Sequence, residues 1–449
     1  MHMILSENRP LRTATLCVLY VAQGIPYGFV SIALAAWLSE APQSWELKKI
    51  SFVMAAAISP WTFKWAWGPL LDTWTIRSCG RRRPWILLAQ FFMAVTIGGM
   101  LFVPDLAADV DTLIALIFLH NIFASLQDVS VDALAVDLLE SEERERVSGY
   151  MYGSSYFGTF LGGTCLGMIL ANFGMRITLM VQAGFLLAIM MLPLFARERA
   201  GDLLWPGRQR QQPLNNPDTT PAPAFSIAPA IAMLKNLLRA FSLRSTLLSA
   251  VFALSTRLGM GVLTVIGIDF YTKELGWTQE DYSIITGTYG ILLGLVGSVL
   301  GGWLADRFGQ KRMAALSTVG LGLVWILFSL ASDYWTMKPV VGAMLVLQEF
   351  LAAILTVSLM AMFIQVSWPQ VAATQFTAYM AFMNLSMTGG SLLAEPVSNS
   401  YGKAGSFLVG GLLQASLVVL LPFIDTQETR RRLETTDNTL PAGPVLDSA

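Results

Sequence analysis

Long apolar stretches separated by short polar breaks run along almost the whole chain, and twelve of them are long enough to cross a bilayer at roughly 20 residues per span. They lie at about 13–38, 49–71, 84–103, 112–136, 147–172, 176–196, 244–271, 283–305, 313–332, 338–365, 374–398 and 404–424. With no water in the bilayer core, such segments must satisfy their own backbone groups, so each is predicted to be a helix. The longest polar interruption covers 197–243. Its middle is rich in Pro, Gln and Asn and reads as a linker. The stretch that follows spaces Phe225, Ile227, Ile231, Leu234, Leu238 and Phe241 around Lys235 and Arg239, the pattern of an interfacial amphipathic helix. The chain therefore divides into six spans in 1–200, a linker in 201–243, six spans in 244–425 and a polar tail, expected to be disordered, in 426–449.

A repeat supports this division. Gly68-Pro69-Leu70-Leu71-Asp72, followed by Gly80-Arg81-Arg82-Arg83, separates the second and third spans of the first half. Gly302-Trp303-Leu304-Ala305-Asp306-Arg307-Phe308-Gly309-Gln310-Lys311-Arg312 does the same in the second half. Two copies of one loop at matching places imply two homologous bundles. The predicted fold is all-α and integral to the membrane: twelve transmembrane helices in two pseudo-symmetric six-helix bundles.

Composition agrees. Hydrophobic residues make up 54% and charged residues 13% of the chain, against about 25% charged in soluble domains. The net charge of −1 gives no electrostatic case for nucleic acid. Three scattered cysteines and two histidines offer neither a zinc spacing nor a nucleophile–base set, so no metal, cofactor or enzymatic activity is expected. With the N-terminus on the cytoplasmic side, twenty-one of the 29 Lys and Arg residues fall in the cytoplasmic loops and tails and six on the opposite side. The positive-inside rule therefore places both termini in the cytoplasm.

Ionisable groups within spans are costly and mark functional candidates. In span four, Asn121, Ser125, Asp128 and Asp132 share one face within about 60°. Lys64 in span two lies at nearly the same depth, about 10–12 Å inside the cytoplasmic end. A pair of Lys64 with Asp128 or Asp132 is expected, either as a structural tie or as a proton-coupling device. One lysine cannot fully neutralise two carboxylates, so one of them is free to titrate. In the second half, Arg257 and Glu349 are both near mid-membrane and could pair across a central cavity. Further substrate-binding candidates are Tyr20, Gln23 and Tyr27 on span one, Asn121 on span four, Tyr152 and Tyr156 on span five, and Gln348 on span ten. His120 lies off the Asp stripe and reads as helix packing. In the repeated loops, Asp72, Arg81, Arg82, Arg83, Asp306, Arg307, Lys311 and Arg312 are gating candidates. They could meet helix ends or acidic residues such as Glu142, Glu143 and Glu145, or serve as positive-inside anchors.

Two halves of six spans joined by these loops resemble a major facilitator superfamily transporter. Phe63-Lys64-Trp65-Ala66-Trp67-Gly68-Pro69-Leu70-Leu71-Asp72 with Gly80-Arg81-Arg82-Arg83-Pro84-Trp85 forms one narrower block. Ser125-Leu126-Gln127-Asp128-Val129-Ser130-Val131-Asp132-Ala133 with Glu142-Glu143-Arg144 forms the other. Together they resemble the muropeptide permease family and the related acetyl-coenzyme A transporters, with siderophore importers a further branch. The resemblance implies a proton-driven symporter that imports a bulky polar or anionic solute. It also implies a monomer in the bacterial inner membrane, whose partners are a small solute, protons and lipid. Drug efflux by the same fold and a non-transporting sensor are the rival readings.

Overall fold

The computed structural model describes residues 3–40, 42–73, 78–205 and 228–434, and these are almost wholly helical. The linker expected at Trp205–Pro223 and the tail beyond 434 fall mainly outside the described residues. Helix α1 (Arg9–Gly28) continues through a π turn at Phe29–Leu34 into α2 (Ala35–Ser39). Next come α3 (Leu47–Thr62), α4 (Trp67–Thr73), α5 (Arg83–Leu101), α6 (Val110–Leu138), α7 (Ser141–Phe160) and α8 (Leu166–Phe195). The interfacial helix is α9 (Ala228–Phe241). Then follow α10 (Arg244–Thr256), α11 (Leu258–Asp269), α12 (Gln279–Ile284), α13 (Ile291–Phe308), α14 (Gln310–Leu330), α15 (Lys338–Val366) and α16 (Ala372–Ser416).

Among the described residues, nine helical stretches are long and apolar enough to cross a membrane. The chain is a multi-pass membrane protein. Two of the nine, Val147–Phe195 and Thr374–Phe423, are each 49 or 50 residues long, well beyond one crossing. Each is interrupted by a glycine in a non-helical conformation, Gly174 (φ 78°, ψ 173°) and Gly402 (φ 66°, ψ −177°). A positive φ is the region glycine enters without steric cost, so the chain turns at these points.

Local chemistry sets the helix starts. Asp109 caps α6 by accepting from Thr112 N–H at 3.2 Å. Glu140 and Glu143 form a capping box at α7, and Thr278 and Asp281 form one at α12. Pro84 and Pro339 occupy the first turns of α5 and α15, where a missing N–H costs nothing.

α1 packs along α7, α5 against α6 and α8, and α3 against α6. α11 and α14 pack on α16, α13 and α14 on α15, and α3 reaches across to α16. The α1–α7 seam is backbone to backbone. A Cβ on Gly158 would sit 2.4 Å from the Val21 carbonyl, and one on Gly24 2.2 Å from that of Ser155. At and just beyond the end of α2, the segment 9–195 touches the segment 244–423 through several polar contacts. Thr272 Oγ1 donates to Ser39 Oγ at 2.7 Å, Gln279 N–H donates to the Glu40 carboxylate at 3.0 Å, and Lys273 donates to the Trp45 carbonyl.

Candidate functional site

Span two is broken where its cation sits. α3 ends at Thr62, Phe63 leaves the helix (φ −100°, ψ 8°), Lys64–Ala66 form a 3-10 turn, and α4 resumes at Trp67. Opposite this break, α6 is an uninterrupted helix of 29 residues. Lys64 Nζ meets Asp128 Oδ2 at 3.1 Å. Trp67 Nε1 donates to Ser125 Oγ at 3.0 Å and Trp61 Nε1 to Asn121 Oδ1 at 3.3 Å. The polar stripe of α6 is thus met rung by rung from span two. The Trp61 and Trp67 indoles were missed by sequence reasoning, although their i,i+6 spacing around Lys64 carried the signal. Asn121 also donates to Ile117 O at 2.9 Å, so its amide is occupied in packing.

Asp132, one turn beyond Asp128, is half-buried and accepts from the Tyr20 hydroxyl. Tyr20 also packs edge-to-face with Tyr152 at 6.0 Å between ring centroids. One lysine, two carboxylates and one phenol therefore lie together where spans one, two, four and five converge. Gln23, on the same helix as Tyr20, is buried with its Nε2 unpartnered. His120 is buried and shares a hydrogen bond with Thr96 at 2.9 Å, as a packing residue does.

A cavity of about 420 Å³ lies between the two segments. Tyr27, Tyr152, Tyr156, Arg257, Gln348 and Glu349 all line it. The direct Arg257–Glu349 ion pair expected from sequence is not formed. Arg257 sits at a helix break (φ −107°, ψ 1°), and its Nη2 donates to Thr356 Oγ1 at 3.1 Å. The break re-aims the side chain away from the direction a continuous helix would give it. Gln348 accepts from Trp325 Nε1 at 3.0 Å, and Tyr156 shares a 3.2 Å hydrogen bond with Ser298. Sequence reasoning missed the lining hydroxyls Ser31, Thr286 and Thr356. Each lies four or seven residues after Tyr27, Tyr282 or Glu349, so helical spacing could have found them.

The loop candidates form clasps within each half. Arg82 pairs with Asp137 at 2.9 Å, and Glu143 takes Arg12, while the side chains of Glu142 and Glu145 lie outside the described residues. Arg83 is buried and donates to the carbonyls of Pro193 and Leu194 at 2.6 Å, where α8 ends. In the second copy, Lys311 donates to Pro422 O at 3.2 Å and Ile424 O at 2.7 Å, at the end of the last helix. Gly80 and Gly309 precede the next helix in the two copies with φ of 101° and 91°. Asp306, Arg307 and Arg312 are exposed. The side chain of Asp72 lies outside the described residues.

A family model described as MFS/sugar transport protein matches residues 46–367. The anhydromuropeptide permease of Escherichia coli (strain K12) is 26% identical over 306 residues, covering 67% of this chain and 57% of the permease. This chain thus aligns with a little over half of that relative. A Rickettsia conorii protein bearing the name AmpG 4 is 23% identical over 422 residues, covering 91% of this chain and 95% of that protein. The crystal structure of a D-xylose-proton symporter superposes with a TM-score of 0.69 at 15% identity, covering 93% of this chain and 98% of that one. That likeness is one of fold. With the membrane helices, the repeated loops and a family match over most of its length, the chain belongs to the MFS/sugar transport protein family.

Proposed function

We propose that the chain is a twelve-span secondary transporter that moves protons together with a bulky, ionisable, muropeptide-like solute. Dividing the two longest helical stretches at Gly174 and Gly402 turns nine apolar stretches into eleven. The broken span Leu47–Thr73 is the twelfth. Six fall before the linker and six after it, in accord with the two copies of the loop. The excess of basic residues on one side supports cytoplasmic termini, in the bacterial inner membrane given the bacterial relatives. The contacts of Ser39, Glu40 and Trp45 with Thr272, Gln279 and Lys273 then lie on the outer side. The central cavity is accordingly read as closed outward and turned to the cytoplasm.

The observation that carries the proposal is the Lys64–Asp128–Asp132–Tyr20 cluster. Lys64 is spent on Asp128, and Asp132 keeps a single described hydrogen-bond donor, a phenol. A proton arriving at Asp132 removes the second negative charge and changes what Tyr20 and Lys64 hold. That alters the relative stability of the two access states, which is what coupling requires. On the other wall, Arg257, Glu349 and the surrounding hydroxyls suit a solute carrying carboxylates, an amine and sugar hydroxyls. Passage of such a solute also agrees with the name of the Escherichia coli relative, an anhydromuropeptide permease.

The substrate class is tested by uptake of labelled anhydro-muropeptide into proteoliposomes, with unlabelled acetyl-coenzyme A, a siderophore, xylose and a lipophilic drug as competitors. Competition by unlabelled muropeptide alone is expected. Stronger competition by another class would transfer the assignment to that class.

A further inference from the structure

Two spans, one in each half, are broken beside the cation they carry. In span two the helix stops at Thr62, and Phe63 turns out of it (φ −100°, ψ 8°) next to Lys64. In span seven α10 stops at Thr256, and Arg257 itself sits at the turn (φ −107°, ψ 1°). A break takes backbone groups out of the helical ladder. In both spans a side chain of the same third helix meets one of them. Asn384 Nδ2 donates to the Trp61 carbonyl at 3.4 Å, and Ser386 Oγ accepts the Arg257 N–H at 3.2 Å. Both belong to span eleven, the part of α16 before Gly402.

Two residues apart on a helix, side chains point about 200° away from each other. Asn384 therefore faces the first half while Ser386 faces the second. The two contacts are not alike. At 3.4 Å the Asn384 contact lies beyond the usual range, so it has room to tighten or to let go. On the other side, span eleven and α11 meet backbone to backbone. A Cβ on Gly261 would sit 2.4 Å from the Met387 carbonyl, and one on Gly390 2.2 Å from that of Leu258. Ser386 is buried beside this seam. A shift of span eleven therefore carries α11 and the Arg257 backbone with it. Arg257 lines the cavity and donates to Thr356. The Trp61 indole, for its part, holds Asn121 on the α6 stripe that also carries Asp128.

We propose that Asn384 and Ser386 are positioning residues, through which span eleven links the Lys64–Asp128–Asp132 cluster to Arg257. The inference rests on the reading of that cluster as the proton site and of the Arg257 wall as part of the solute site. The groups around Asp132 are Tyr20 from span one, with Tyr152 of span five packed on it, Lys64 from span two and Asp128 from its own helix. Neutral Asp132 leaves Lys64 and Tyr20 with one anion fewer to hold. Lys64 stands on the break of span two, so its shift moves that break and the Trp61 carbonyl beside it. The carbonyl then tightens on Asn384 or leaves it, span eleven follows, and Arg257 is re-aimed in the cavity. Coupling of this kind needs a helix that touches both sites, and span eleven touches the broken backbone at each.

The test needs no solute. In the full-length protein with Cys17, Cys79 and Cys165 replaced, Thr264→Cys places a thiol on the cavity wall of α11. Its rate of reaction with a soluble maleimide in proteoliposomes reports movement of that wall. Asp132→Asn imitates the protonated carboxyl and should change the rate about fivefold. Adding Asn384→Leu, which keeps the bulk and removes the amide, should abolish that change, and so should adding Ser386→Ala. Asn384→Gln and Ser386→Thr, which keep a polar group, should preserve it. An unchanged rate on Asp132→Asn alone overturns the inference without reliance on any variant of span eleven. An Asp132→Asn response of undiminished size in both the Asn384→Leu and Ser386→Ala proteins overturns it too, and is what a merely structural role for these residues would give. Loss of the response in either protein supports the inference even where anhydro-muropeptide uptake fails, since that failure counts against the solute reading alone.

Discussion

Lys64 and Asp128 neutralise each other in a place where the side chains are only 20% and 9% exposed. Removing one partner leaves a charge without compensation, so Lys64→Gln should lower stability by about 3 kcal/mol. The double variant Lys64→Gln/Asp128→Asn should recover part of that loss. Thermal unfolding followed by fluorescence-detected chromatography reads both. Outside the spans, burial works to raise the Glu143 carboxyl, but the Arg12 guanidinium and the Glu140 N–H outweigh it and hold it below its ordinary 4.5. The sign follows from a depressed folded-state value: the stabilisation is complete above 4.5 and is lost as the pH falls through that lower value. Thermal stability should therefore drop more steeply on acidification in the unaltered protein than in Glu143→Gln. A parallel drop in both would remove Glu143 from the account. The Lys64–Asp128 contact was legible in the sequence because depth along a helix follows directly from residue count. The Tyr20–Asp132 contact was not, because which neighbour a side chain meets depends on how spans one and four are rotated. The Arg257–Glu349 pair failed for a related reason: a break at Arg257 is invisible to a count that assumes a continuous helix.

At several helix pairs, glycines allow the backbones to approach closely. Where α1 meets the π turn Leu161–Cys165 that continues α7, a Cβ at Gly162 would lie 2.0 Å from Ile25 O and 2.8 Å from Phe29 N. The Ile25 carbonyl cannot move without disturbing α1, so Gly162→Val should cost about 2–3 kcal/mol. Gly153→Ala, with nothing within 4 Å, should be neutral. The folded yield of the two variants, compared by chromatography, checks this. The apolar helical stretches were legible to within a few residues at their ends, because a run of apolar side chains in lipid leaves a helix as the only option, but the break in 49–71 at Phe63–Ala66 was not. The predicted boundary between 147–172 and 176–196 falls on Gly174, and that between 374–398 and 404–424 on Gly402. The π turns at Phe29–Leu34 and Phe270–Glu274 were not legible. They carry no distinctive residue and arise where segments from the two halves press together.

At the scale of the whole molecule, the repeated loop is the basis for proposing two parts. What it could not convey was which contacts bridge the parts. Ser39, Glu40 and Trp45 meet Thr272, Gln279 and Lys273 across more than 200 residues of chain, and none of them stands out in its local sequence. These contacts are expected to keep the outer side closed. Lys273→Met with Glu40→Gln should make a cysteine placed at Ser31, in the cavity wall, react several-fold faster with an impermeant reagent added from outside. The background for this test replaces Cys17, Cys79 and Cys165. Unchanged labelling would mean that the closure rests elsewhere. The central claim is that proton uptake at the Asp128–Asp132 cluster accompanies solute entry. Proteoliposomes holding an internal pH dye test it directly when anhydro-muropeptide is added outside. The account predicts internal acidification with the unaltered protein and its loss in Asp132→Asn, which should still exchange solute down its own gradient. Undiminished acidification in both Asp128→Asn and Asp132→Asn would contradict it.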